Sequence, residues 1–86
     1  ERELARLRDH YLVCGWGRMG HEIVLQFRSR NVPHVVLELS EEKCRRMTDQ
    51  GILCVQGDAA DNEVLDAAGV RRARGLVTVA PDDATN

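Results

Sequence analysis

Short aliphatic runs alternate with amphipathic segments along the chain. Four aliphatic runs predict strands: residues 11–14, 34–39, 52–56 and 76–80. Three segments with apolar residues at helical spacing predict helices: residues 18–29, 41–49 and 62–68. Strands that are apolar throughout are typical of a parallel sheet covered by helices. The pattern therefore predicts an α/β fold, with a parallel sheet in the order 3-2-1-4, helices on both faces, and truncation after the fourth strand.

The predicted helices have start signals and an inward face. Ser40 is expected to be the N-cap of the second helix, and Asp61 or Asn62 that of the third. Residues 81–83 resemble the start of a further helix. One stripe of the first helix is expected to face the sheet: Met19, Ile23, Val24 and Phe27.

Between the first strand and the first helix, three glycines have the spacing G-x-G-x-x-G. Gly15 allows a tight exit from the strand, Gly17 lets backbone approach a pyrophosphate, and Gly20 lets the helix lie close to the sheet. The N-terminus of that helix favours an anion. Glu38 ends the next strand 18 positions after Gly20, where a carboxylate reaches ribose hydroxyls. The pattern predicts a nucleotide site on a Rossmann-like sheet; the alternative is a glycine turn used only for close packing.

A second polar block follows the third strand. Residues 57–61 read G-D-A-A-D and lie at the carboxyl end of that strand, where open α/β sheets bind ligands. Asp58 is therefore a candidate site residue. Its alternative role is to cap the loop through hydrogen bonds to nearby backbone.

Composition and charge exclude several function classes. The chain has 86 residues, a net charge of −2, and Lys and Arg dispersed among Asp and Glu, so it has no electrostatic footprint for nucleic acid. No run of 18 apolar residues and no signal peptide is present. One small domain, built mainly from aliphatic side chains, is expected.

The cysteines and histidines do not have the spacing of metal ligands. Cys14 and Cys54 lie in apolar strands and no C-x-x-C pair occurs, so buried reduced thiols are expected and the chain is interpreted as cytosolic. His10, His21 and His34 are expected at the surface or at strand edges rather than as catalytic bases.

With these pieces placed, the sequence resembles the nucleotide-binding half of the RCK domain (regulator of potassium conductance), also called the KTN or TrkA-N domain. The resemblance rests on residues 14–20 (CGWGRMG), 36–38 (VLE), 57–61 (GDAAD) and 73–86, and it covers nearly all of residues 10–86. Residues 1–9 would then be the end of a linker helix, and residues 10–86 the N-terminal part of the domain.

The resemblance implies a set of cofactor-binding residues: Gly15, Trp16, Gly17, Arg18, Met19, Gly20, Glu38, Asp58 and Ala59. The glycines would carry the pyrophosphate turn, with Arg18 over the phosphates. Glu38 would hold ribose, and Asp58 with Ala59 would border adenine. Trp16 departs from the family's more usual residue, and stacks on the ligand or caps the turn. No catalytic residue and no metal ligand is implied.

The implied function is regulation. A domain of this kind senses NAD or NADH, or alternatively ATP, ADP or AMP, and controls the gating of a potassium channel or transporter from the cytoplasmic face of the cell membrane. It pairs into a homo-oligomer, a dimer within a gating ring, which the unpaired edge of the fourth strand also favours. NADP is the least expected ligand because Glu38 repels a 2′-phosphate.

Two alternatives belong to other classes. One is the dinucleotide-binding half of an NAD-dependent dehydrogenase, which would require a catalytic domain beyond Asn86. The other is a plain dimerisation domain with an empty groove.

Overall fold

Four parallel strands form one sheet in the order β3-β2-β1-β4, as predicted. The computed structural model describes residues 2–15 and 17–79, with side chains described from Leu4 onward. The strands are β1 (Tyr11–Cys14), β2 (His34–Glu38), β3 (Cys54–Gln56) and β4 (Gly75–Thr78). The helices are α1 (Arg2–Arg6), α2 (Arg18–Ser29), α3 (Glu41–Asp49) and α4 (Asn62–Ala67), and a 3-10 turn spans Val70–Arg72.

The sheet is covered on both faces, which confirms the predicted layering. On one face, Val13 and Val36 pack with Val24 of α2 and Met47 of α3. On the other face, the buried core contains Leu12, Val35, Leu37 and Ala68, with Leu4, Leu7, Val64 and Leu65 packed against it. Each fully buried Val or Leu contributes about 1.5–3 kcal/mol, so two small cores stabilise a sheet that has few aromatic residues.

The predicted helix starts are confirmed where a side chain caps the helix. Ser40 Oγ accepts a hydrogen bond from the Lys43 N–H at 3.3 Å, and Asp61 Oδ1 accepts one from the Glu63 N–H at 2.9 Å. Each cap satisfies a backbone donor that the helix itself leaves unpaired. The predicted helix at residues 81–83 lies outside the described residues.

β3 begins two residues later than predicted. Gly51 has φ of +85°, the left-handed conformation typical of the residue after a helix. The Ile52 N–H then donates to the Met47 carbonyl at 2.9 Å. Because this bond ends α3, Ile52 belongs to the helix exit and strand pairing starts at Cys54.

The prediction that Met19 faces the sheet is wrong. Met19 is 60% exposed, whereas Gly20 and Val24 are the buried residues of α2. Counting from Val24 along a helix, Met19 lies about 140° around the axis and Gly20 only about 40°. Gly20 therefore occupies the contact position that the periodicity assigned to a larger side chain.

Two expectations about thiols and histidines are also wrong. Cys44 and Cys54 are joined as a disulfide, while Cys14 is a buried free thiol. No sequence spacing indicates this pair, because it forms only when the inner side of α3 meets the first residue of β3. His10 is fully buried rather than at the surface, and its Nε2–H donates to the Ala68 carbonyl at 2.8 Å.

The segment before β1 is attached to the domain through Arg72. The Arg72 guanidinium donates from Nε to the Leu7 carbonyl at 2.9 Å and from Nη2 to the Leu4 carbonyl at 3.2 Å. The Asp9 N–H donates to the Arg72 carbonyl at 2.8 Å. The assignment of residues 1–9 as a linker stays a prediction, but α1 packs on the domain.

Candidate ligand-binding site

The carboxyl ends of β1, β2 and β3 meet at one edge of the sheet. The Gly15 N–H donates to the Leu37 carbonyl at 3.1 Å, and the Gly57 N–H donates to the Glu38 carbonyl at 2.8 Å. These bonds hold the three strand ends together around a pocket of about 230 Å³. Its lining includes Gly15, Glu38, Leu39, Gly57, Asp58 and Ala59. The same pocket is thus lined by four predicted residues from three separate parts of the sequence: Gly15, Glu38, Asp58 and Ala59.

The turn after β1 requires glycine at its first position. Gly15 has φ of +103°, and a Cβ there would lie 3.1 Å from the Val79 carbonyl oxygen. A side chain would therefore meet both an unfavourable backbone conformation and a close backbone neighbour. Trp16 lies outside the described residues.

The N-terminus of α2 differs from that of α3. Gly17 is the N-cap of α2, no side chain caps it, and its first turn has no acidic residue. In α3, Ser40 is the cap and Glu41 and Glu42 lie in the first turn. A helix start that its own side chains do not compensate retains a partial positive charge and unpaired N–H donors. The end of α2 beside the Gly15 turn can therefore receive an anion.

The predicted residues of α2 belong to its cap and first turn rather than to the pocket lining. Arg18 and Met19 are exposed, Gly17 is half-buried and Gly20 is buried. Gly20 is buried, and the close approach of α2 to the sheet that its missing Cβ would allow stays a prediction. Arg18 and Met19 are positioned near the helix start, at the solvent side.

Glu38 is a buried carboxylate at the tip of β2. It is 8% exposed, and its Oε2 accepts a hydrogen bond from the Ser40 N–H at 2.9 Å. A buried charge is unfavourable unless it is hydrogen-bonded, so this bond both stabilises the carboxylate and fixes its orientation. Among the described residues no hydrogen bond to Oε1 is found, which leaves that oxygen to accept from a ligand hydroxyl.

Asp58 has a structural role whatever its ligand role is. Its Oδ1 accepts a hydrogen bond from the Ala60 N–H at 2.9 Å, and its carbonyl accepts from the Asp61 N–H at 2.9 Å. The loop-capping role considered above is therefore present. Asp58 is nevertheless exposed and lines the pocket, so the same loop can border a ligand.

Sequence reasoning did not assign four of the residues that line this pocket: Cys14, Leu37, Leu39 and Gly57. Gly57 has φ of +155°, and a Cβ on it would lie 2.5 Å from Val64 Cγ2, so glycine lets α4 pack against the loop. Leu39 was assigned to a strand, but β2 ends before it and its side chain is 66% exposed beside Glu38. Cys14 lines the pocket from β1, and burial raises the pKa of its thiol. The glycine was visible in the 57–61 block, whereas the positions of Leu39 and Cys14 depend on the tertiary fold.

A larger cavity of about 480 Å³ lies at the opposite edge of the sheet, where Pro33 and His34 begin β2. Phe27 and Arg28 at the end of α2 also line it. Helix C-termini there present carbonyl groups, which disfavour a phosphate. Volume alone therefore does not identify the site, and only the smaller pocket combines the uncapped start of α2 with the buried Glu38 carboxylate.

In residues 2–15 and 17–79 there is no cluster of three or more His, Cys, Asp or Glu side chains arranged to hold a metal ion. In that same part of the chain, no helix has the length and apolar character needed to cross a membrane.

Comparison with known proteins gives consistent results. A family model described as the TrkA-N domain matches residues 11–86. Potassium channel protein 1 of Methanocaldococcus jannaschii is 33% identical over 85 residues, which cover 96% of this chain and 26% of that protein. The chloroplastic K(+) efflux antiporter 2 of Arabidopsis thaliana is 33% identical over 73 residues, 85% of this chain and 6% of that protein.

A solved structure agrees in fold. The crystal structure of the TrkA-N domain of inner membrane protein ybaL from Escherichia coli matches with a TM-score of 0.84 and 27% identity, covering 90% of this chain and 57% of that chain. The chain thus spans about a quarter of the archaeal channel protein and a much smaller share of the plant antiporter.

Proposed function

The chain belongs to the TrkA-N domain family, as its glycine turn and its 57–61 block predict, and from that premise we propose that it is a ligand-sensing regulatory domain. Its pocket binds an adenine nucleotide, and occupancy of the pocket controls a potassium channel or transporter to which the domain is attached. The observation that carries this proposal is the convergence of Gly15, Glu38, Asp58 and Ala59 on one pocket beside the uncapped start of α2.

Each part of a dinucleotide has a counterpart in this arrangement. The pyrophosphate lies against the N–H groups at the start of α2, with Arg18 above it and without a Cβ at Gly15 or Gly17. Ribose hydroxyls donate to Glu38, whose other oxygen is already held by the Ser40 N–H. Adenine lies along Asp58 and Ala59. NAD or NADH fits all three parts, and ATP, ADP and AMP fit the adenosine and phosphate parts.

Regulation requires that the ligand bind one conformation better than another. The ligand contacts come from β1, β2, β3 and α2, so a bound nucleotide holds these elements in one arrangement. The chain passes from α1 directly into β1, and Arg72 ties α1 to the domain. A change in the sheet can therefore be passed to whatever precedes α1.

The proposal includes association and location but no catalysis. Among the described residues the outer edge of β4 pairs with no strand, and Leu76 is 48% exposed, which favours a homo-oligomer. The location at the cytoplasmic face of a membrane is proposed from the relatives, which are named as a channel and an antiporter. Cys14 lines the pocket, and burial raises the pKa of its thiol, which keeps it neutral. The relatives reported above are named as a channel and an antiporter, which favours regulation over a dehydrogenase half.

Calorimetric titration of the chain with NADH, NAD, ATP, ADP and AMP tests the proposal. We expect saturable binding of at least one of them, and a loss of at least about tenfold in affinity for Gly17→Val. Gly17 has φ of −118° and ψ of −157°, which any residue can adopt, so this variant obstructs the phosphate without straining the backbone. Glu42→Gln, on the exposed side of α3, is the control. No binding of any of the five nucleotides would refute the proposal and leave the plain dimerisation domain.

A further inference from the structure

We propose that a small-molecule disulfide oxidises the thiols of Cys44 and Cys54 reversibly to a disulfide, and that the redox state of this pair sets the affinity of the neighbouring nucleotide pocket. The closure of the pair stands on the geometry of the two cysteines, whereas its role in sensing and its effect on affinity rest on the proposed function. Cys14, the remaining cysteine, is outside the pair.

The two cysteines meet where α3 packs on β3. Cys44 lies on the inner side of α3 and is 8% exposed, and Cys54 is the half-buried first residue of β3. Their Cα atoms are 5.7 Å apart, within the range that a disulfide requires. The fold therefore presents the two sulfurs to each other without rearrangement of the backbone.

Oxidation proceeds by thiol–disulfide exchange. The Cys54 thiolate, on the more exposed residue, attacks one sulfur of the small disulfide and releases one small thiol, which leaves a mixed disulfide on Cys54. The Cys44 thiolate then attacks the Cys54 sulfur, closes the protein disulfide and releases the second small thiol. Two protein thiols thus lose two protons and two electrons, and the small disulfide is reduced to two thiols. Excess small thiol reverses both steps.

A pair of this kind in a reducing compartment points to sensing. Lasting structural disulfides are rare in the cytosol, and those that occur there are usually catalytic or redox-sensing. The domain is proposed to face the cytoplasm, so a permanent disulfide would be out of place and a reversible one would respond to the thiol pool.

The pair is connected to both walls of the pocket through hydrogen bonds and the chain. On the α3 side, the Cys44 N–H donates to the Ser40 carbonyl at 3.0 Å, and the Ser40 N–H holds the Glu38 carboxylate. On the β3 side, the strand that starts at Cys54 ends at Gln56, whose Nε2 donates to the Leu39 carbonyl at 2.9 Å. A disulfide between α3 and β3 therefore fixes the Glu38 wall relative to the wall formed by residues 57–59.

This placement determines the direction of the effect. A pocket whose walls are already fixed loses less conformational freedom when a ligand binds, so the disulfide form should bind nucleotide more tightly than the dithiol form. Linkage requires the reverse effect with the same factor: bound nucleotide should favour the disulfide over the dithiol.

The test compares the two redox states of the unmodified chain. The chain is equilibrated either with oxidised glutathione or with dithiothreitol, and its thiols are counted by alkylation under denaturing conditions and mass spectrometry. We expect three alkylated cysteines in the reduced chain and one in the oxidised chain, with Cys44 and Cys54 linked in the proteolytic fragments. NADH affinity measured by calorimetry should be roughly fivefold or more tighter for the oxidised chain.

A reciprocal measurement and a control complete the design. Saturating NADH should shift the ratio of the squared reduced-glutathione concentration to the oxidised-glutathione concentration at which half of the chain is oxidised by the same factor as the change in affinity. In Cys54→Ala, which cannot form the pair, oxidised glutathione should leave NADH affinity unchanged.

Three alkylated cysteines after treatment with oxidised glutathione would overturn the redox site. Equal NADH affinity in the two redox states would overturn its coupling to the pocket while leaving the proposed function intact. If NADH does not bind in either state, the affinity comparison is made with whichever of NAD, ATP, ADP and AMP binds. Absence of binding of all five nucleotides in both states would overturn the proposed function and the coupling together, and the thiol count would still decide whether the pair closes.

Discussion

Replacing Glu38 by glutamine separates the structural role of this side chain from its proposed contact with ribose. The Glu38 Oε2 accepts from the Ser40 N–H at 2.9 Å, and the amide oxygen of glutamine can accept the same bond. The substitution removes the negative charge but retains size and one acceptor. Folding should therefore change little, while any interaction that depends on the carboxylate should weaken.

The expected magnitude follows from hydrogen-bond strengths. A hydrogen bond to a charged group contributes about 1.5–3 kcal/mol and a neutral one about 0.5–1.5 kcal/mol. Glu38→Gln should therefore weaken NADH binding by about 1–1.5 kcal/mol, which corresponds to roughly a 5- to 13-fold increase in Kd. The 2′-phosphate of NADPH repels Glu38 but not glutamine, so the preference for NADH over NADPH should narrow in the variant.

Calorimetry with NADH and NADPH, together with thermal unfolding, measures these quantities. Glu42→Gln is the matched control. It also removes one negative charge, in this case from the exposed side of α3, and disrupts only an exposed ion pair with Arg46 at 2.7 Å. The control should change Kd by less than about twofold, as surface ion pairs contribute little. Unchanged NADH affinity in Glu38→Gln, or an equal loss in the control, would refute the assignment of Glu38 to ribose.

Three further predictions concern packing, the α1 attachment and the free thiol. Gly57→Ala should lower the free energy of unfolding by about 2–4 kcal/mol in calorimetric unfolding, because its Cβ would lie 2.5 Å from Val64 Cγ2. In Gly51→Ala the new Cβ would meet only Arg28 Nη2 at 3.9 Å, so its free energy of unfolding should fall clearly less, and equal losses in the two variants would contradict the packing argument. Arg72→Ala should increase the rate of amide hydrogen exchange in residues 2–9 by roughly fivefold, because it removes two hydrogen bonds to the Leu4 and Leu7 carbonyls that together contribute about 1 kcal/mol. Arg71→Ala should leave that rate unchanged, and equal exchange rates in the two variants would contradict the attachment of α1 by Arg72. Because burial raises the Cys14 pKa above 9.0, the thiolate fraction and the rate of iodoacetamide alkylation in the oxidised chain should still be rising at pH 9, and a rate that levels off below pH 9 would contradict this.

The helices and the order of the strands could be predicted because their signals are local. Periodicity gave the bounds of α2, and Ser40 and Asp61 marked the starts of α3 and α4 with side chains that do cap them. The strand order follows from right-handed crossovers of ordinary length. None of these features depends on which distant residues come into contact.

The features that could not be predicted are those set by tertiary contacts. Met19 matches the apolar spacing of α2 but lies on the wrong side of the helix, because Gly20 takes the contact position. The Cys44–Cys54 pair joins two different elements across a sequence separation of 10, and the hydrogen bond from His10 to the Ala68 carbonyl joins residues that are 58 positions apart. At the candidate site, the motifs identified the polar residues, whereas Leu39 and Cys14 became visible only when the strand ends were assembled.

The most direct test of the account is a two-dimensional amide NMR titration of the chain with NADH. If the pyrophosphate lies at the start of α2 and ribose at Glu38, the largest shifts should be those of the amides of residues 17–20 and of Ser40. If these amides do not move and the shifts gather instead around Phe27 and His34 at the opposite cavity, the proposed site is wrong.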